Sequence, residues 1–175
     1  MTEQFDLNKH VHRLLMDEPF FAALSRRVDK RIDKSIPTAG VRVNASTGHF
    51  EMIYNPEFFE GLPDIQRKGV LKHEFYHLIF EHVTGRKPTG INPMAWNIAT
   101  DLAINSHLMG ELPEMCCMPG QKPFEDYDVG LSSEAYLEQL KEDASKQSGG
   151  DGDGKSEGQF DSHDGWDDVD QQTKE

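Results

Sequence analysis

His73, Glu74 and His77 form a His-Glu-x-x-His run within Val70-Leu-Lys-His-Glu-Phe-Tyr-His-Leu-Ile-Phe80. On an α-helix, residues four apart lie about 40° apart around the axis and one turn along it, so both imidazoles can reach a single ion. Glu74 falls about 100° from His73, toward the same side but off the row of the imidazoles. It can touch a water beside the ion without taking a coordination position, which is what a general base requires. Val70, Leu71, Phe75, Leu78, Ile79 and Phe80 are spread around most of the remaining circumference, the mark of a helix buried on nearly all sides. Two imidazoles and a carboxylate in such a place need a partner, and a metal supplies one.

A third ligand is required, and spacing separates the candidates. Glu81 is on the right face but eight residues from His73, about 12 Å along a straight helix. Zinc ligand atoms sit only ~2.0–2.2 Å from the metal, so one straight helix cannot deliver all three groups. His82 falls opposite His73, and position 83, where a metzincin would carry histidine, is Val83. Glu81 and His82 are therefore expected to be structural or surface groups. Asp101 lies on the next expected helix and shares a face with Asn97 and Asn105, amides one turn away on either side that could orient its carboxylate. The alternative is that Asp101 caps a helix or pairs with an arginine such as Arg86. The expected metal ligands are His73, His77 and Asp101, with Glu74 as the catalytic base. Two imidazoles, one carboxylate and a water position make the ligand set of catalytic zinc, so the expected cofactor is Zn2+. No oxyanion stabiliser stands out among Tyr76, His82, His107 and His163.

The elements that must position these groups can be read from periodicity. Leu7, Val11, Leu14 and Leu15 recur at helical spacing, as do Phe21, Leu24, Val28 and Ile32, with Asp17-Glu-Pro19 as a helix start between them. From Ala39 to Tyr54 the pattern alternates. Val41 and Val43, a polar Asn44-to-Gly48 turn, and Phe50, Met52 and Tyr54 predict a β-hairpin. A helix is expected from Pro63 or Asp64 to His82 or Val83, stopped by Gly85, and another from Ala95 to Met109. A last helix should begin at Ser132 or Ser133, with Tyr136, Leu137 and Leu140 inward. The expected fold class is α+β, mostly helical, with a small hairpin before the His-Glu-x-x-His helix.

Composition sets the outer limits. The chain has 175 residues and a formal charge of −13. Much of that charge lies from Glu142 onward, where acids far outnumber the lysines. The expected division is a domain over 1–143 and an acidic, Gly/Asp-rich disordered tail over 144–175. Asp151-Gly-Asp-Gly hints at a calcium loop but lacks glycine at the sixth position and glutamate at the twelfth. No basic stripe exists to follow a phosphate backbone, so direct nucleic-acid binding is not expected. No apolar run approaches the ~18–20 residues of a membrane span, and the N-terminus lacks the pattern of a signal peptide. The two adjacent cysteines, Cys116 and Cys117, offer no disulfide framework. A cytoplasmic location is expected.

Several longer runs resemble a known family. They are Phe50-Glu-Met-Ile-Tyr-Asn-Pro-Glu-Phe-Phe59, Leu71-Lys-His-Glu-Phe-Tyr-His-Leu-Ile-Phe-Glu-His82 with Arg86, Trp96-Asn-Ile-Ala-Thr-Asp-Leu-Ala-Ile-Asn105, and Ser133-Glu-Ala-Tyr-Leu-Glu-Gln-Leu140. Together they resemble a family of metallopeptidase domains that commonly stands N-terminal to a von Willebrand factor A-like domain in bacterial and phage proteins. Phe160-Asp-Ser-His-Asp-Gly-Trp166 is similar to the segment before that partner domain. The resemblance implies a zincin-like fold, a peptide or protein substrate, metal ligands at His73, His77 and Asp101, and Glu74 as general base. The strand from Phe50 to Tyr54 would then be a sheet edge beside the cleft, able to pair with an extended peptide. The rival expectations are a catalytically silent zinc-binding interaction module, and the metallopeptidase half of a longer protein.

Overall fold

The computed structural model describes residues 6–83 and 85–147. Residues 148–175 of the expected tail, with its Asp151 loop, His163 and the Phe160-to-Trp166 run, lie outside them. Among the described residues the fold is α+β, with six helices and one three-stranded sheet. These residues divide into two compact units, the first comprising 6–83 and 85–86 with Glu111–Pro113, the second comprising Lys87–Gly110 with 114–147.

The first unit begins with α1 (Leu7–Asp17) and α2 (Pro19–Ser25). Asp6 caps α1 by accepting from the Asn8 amide at 2.9 Å, and Pro19 starts α2 where a missing N–H costs nothing. The helical reading fails just after this. Val28–Ile32 is not a continuation of α2 but strand β1. Val28 is buried while Ile32 is 46% exposed, so their four-residue spacing does not report a helical face. Long-range pairing, which local periodicity does not encode, decides the matter.

The expected hairpin is present as β2 (Ala39–Val43) and β3 (Phe50–Tyr54), antiparallel with Val41 opposite Met52. Its turn closes through Gly48, at φ +69°, whose amide donates to the Asn44 carbonyl at 2.8 Å. β1 joins the other side of β3 in parallel, giving the order β1-β3-β2. The strand expected at a sheet edge is thus the central one, and it has no open ladder to offer a peptide. Its centrality explains why Glu51, Met52, Ile53 and Tyr54 are all buried. The buried Glu51 carboxylate is held by Arg42 on β2 at 2.8 Å and by Arg31 on β1 at 3.4 Å. Asn55 then caps the short α3 (Pro56–Glu60), accepting from the Glu57 amide at 3.1 Å.

α4 (Asp64–Ile79) is the spine of this unit, buried without interruption from Gly69 to Phe75. Phe21 of α2 packs against Phe75 and Tyr76, with ring centroids 6.4 and 5.3 Å away. On another side the main chain of Glu111 comes so close to Gly69 that a Cβ there would lie 2.0 Å from the Glu111 carbonyl oxygen. The Glu111 carboxylate binds Lys72 at 2.5 Å, and Glu18 takes the same ammonium at 2.9 Å. Burial alone would lower the Lys72 ammonium, but the two carboxylates outweigh it and the net shift is upward.

The second unit is built on α5 (Pro93–Asn105) and α6 (Ser133–Gln147), which pack against each other. Asn92 caps α5 by accepting from the Met94 amide at 2.9 Å. The Tyr136 hydroxyl ties the helices together, lying 3.0 Å from Ser106 Oγ and donating to the Asp128 carbonyl at 2.6 Å. α6 carries on through Gln147, past the boundary expected at 143. No helix among the described residues is long and apolar enough to cross a membrane.

Candidate active site

The first unit brings His73 and His77 together. Both imidazoles are fully buried, and their Nε2 atoms lie 3.1 Å apart, with ring centroids at 4.7 Å and planes at 80°. Two Nε2 atoms brought this close from successive turns could serve one divalent ion. Glu74, one residue along, is equally buried. A carboxylate with no exposed surface is costly unless its surroundings use its charge.

α4 ends earlier than expected. It stops at Ile79, and Gly85 plays no part in stopping it. The chain turns through Phe80 and Glu81, and Glu81 adopts φ +58°, the left-handed conformation usually left to glycine. The Glu81 amide donates to the Leu78 carbonyl at 3.2 Å and the His82 amide to the His77 carbonyl at 3.0 Å, the paired bonds of a Schellman turn. His82, expected on the face opposite His73, therefore folds back. It is buried, with Nδ1 3.3 Å from His77 Nδ1. Periodicity missed this contact because it assumed an unbroken helix. Arg86 donates to the Phe80 carbonyl at 3.4 Å and so braces the same turn.

Asp101 belongs to the second unit, on the inner face of α5 between the buried Thr100 and Leu102, and it is itself fully buried. Asn97 is half-buried, and Asn105 is buried with its amide donating to the Cys117 carbonyl at 2.6 Å, which pins the following loop to α5. Both cysteines are buried free thiols. Burial, with the Asp101 carboxylate nearby, pushes the Cys117 thiol up to about 12, so without a metal it stays a protonated thiol at neutral pH. Of the oxyanion candidates, Tyr76 is half-buried on α4 and His107 is exposed just beyond α5.

No curated protein and no solved structure matches the chain. A family model described as "Putative metallopeptidase domain" matches residues 2–172, nearly the whole sequence. The chain belongs to that family.

Proposed function

We propose that this protein is a zinc-dependent, zincin-like metallopeptidase that hydrolyses peptide bonds, with Glu74 as general base. The observation that carries the reading is the convergence of His73 Nε2 and His77 Nε2 to 3.1 Å, both imidazoles fully buried on α4 with buried Glu74 beside them. His73, His77 and Asp101 would hold the ion. Two imidazoles and a carboxylate fit zinc, and leave a coordination position for water. When bound there, zinc supplies Lewis acidity toward a carbonyl oxygen and makes a water acidic near neutral pH.

The remaining steps belong to the chain's own residues. Glu74 accepts a proton as the water oxygen forms its bond to the scissile carbonyl carbon. It then returns that proton to the amide nitrogen as the C–N bond breaks, leaving one carboxylic acid and one amine. Burial of Glu74 keeps bulk water from competing for the proton. Because β3 is central, the edge open to an extended peptide is an outer strand, and β2, which packs against α4, is the one we assign. A cytoplasmic location and a von Willebrand factor A-like partner domain complete the proposal, the latter on family resemblance.

Metal analysis of the purified full chain tests it. About one zinc per chain is expected, lost on His77→Ala and on Asp101→Ala. Glu74→Gln should keep the metal while hydrolysis of a peptide library falls by orders of magnitude. Wild-type protein that takes up no zinc overturns the assignment, and an unchanged rate in Glu74→Gln overturns the mechanism.

A further inference from the structure

His82 has no place in that mechanism, yet a costly backbone conformation is spent on aiming it. A non-glycine residue in the left-handed region costs on the order of 1–2 kcal/mol, and Glu81 adopts it at φ +58°. Had α4 continued unbroken, His82 would lie about 140° around the axis from His77 and could not touch it. The Schellman turn instead brings His82 Nδ1 to 3.3 Å from His77 Nδ1, with the rings 5.4 Å apart and inclined at 68°.

We propose that His82 is a positioning residue that accepts the Nδ1 proton of His77 and so fixes the His77 tautomer whose Nε2 lone pair faces His73 Nε2. The inference rests on the metal reading and extends it from ligand identity to ligand orientation. An imidazole can bind an ion through Nε2 only if its proton sits on Nδ1, and that proton needs a buried acceptor. The contact between Nδ1 atoms makes His82 Nδ1 that acceptor, which requires the His82 proton to lie on its own Nε2. The same three rings then form one chain of donors in the metal-free protein, from His73 through His77 to His82, consistent with the 3.1 Å and 3.3 Å spacings.

Two measurements on the full chain test this. Long-range 1H–15N spectra of metal-free wild type should show His77 protonated on Nδ1, and a proton on Nε2 instead overturns the proposal without any variant. Competition of wild type, His82→Leu and His82→Asn for zinc against a chromophoric chelator supplies the second. His82→Leu, which fills space but accepts no proton, should bind zinc 10–100-fold more weakly. His82→Asn, whose amide oxygen can accept from His77, should recover most of that loss. Equal affinity for wild type and His82→Leu overturns the positioning role alone. A wild type that binds no zinc overturns the metal reading itself.

Discussion

Replacing Gly69 with alanine should destabilise the protein by about 2–3 kcal/mol, against the ordinary rule for helices. In a helix interior, glycine to alanine gains roughly 1 kcal/mol because the unfolded chain loses freedom. At Gly69 the new Cβ would stand 2.0 Å from the Glu111 carbonyl oxygen and 2.7 Å from its carbon. Ordinary contact needs roughly 3.5 Å, so main chain must move by more than about 1 Å on one side or the other. Overpacking a tight interior costs about 1–3 kcal/mol, and a clash with backbone sits at the upper end because no rotamer relieves it. Displacing Glu111 also pulls its carboxylate from buried Lys72, which adds to the loss. These terms exceed the helix gain. Urea unfolding followed by circular dichroism reads the result as a lower midpoint at unchanged slope. Gly61→Ala is the control, since its Cβ would meet nothing closer than 3.5 Å at an ordinary φ, and its midpoint should hold or rise slightly. A Gly69→Ala protein as stable as wild type would refute the packing of the Glu111 segment on α4.

Three further outcomes follow from the same geometry. Lys72→Met should cost about 2 kcal/mol in urea unfolding, discounted from a fully buried pair because Glu18 and Glu111 are partly exposed. No loss would show that the carboxylates are indifferent to the ammonium. Cys117 should resist iodoacetamide at pH 8 until the protein unfolds. Because burial raises its folded pKa to about 12, above the unfolded value, its contribution to stability is intact below the unfolded pKa and is lost as pH climbs toward 12. Rapid alkylation of native protein would contradict its burial. Glu81→Gly should raise thermal stability by up to about 1 kcal/mol by removing the left-handed strain while leaving zinc affinity unchanged. A drop in stability would mean that the Glu81 side chain contributes more than its backbone costs.

Much of the candidate site was legible because its information is local. Helical spacing alone places His73 and His77 on successive turns, and the apolar residues around them foretell the burial of α4 from Gly69 to Phe75. Alternation and a polar turn likewise foretell the β2–β3 hairpin, since both depend on neighbours in the chain. Tertiary structure decided what depends on distant partners or on a single backbone angle. β1 has the spacing of a helix but becomes a strand through parallel pairing with β3, and that pairing moves β3 from the edge to the centre. Glu51 can be buried only because Arg31 and Arg42 arrive from both neighbouring strands. The end of α4 is the sharpest case. A glutamate is a poor signal for a left-handed turn, so the sequence by itself extends the helix and throws His82 to the wrong side. The Schellman turn, with Glu81 at φ +58°, reverses that placement and sets His82 against His77.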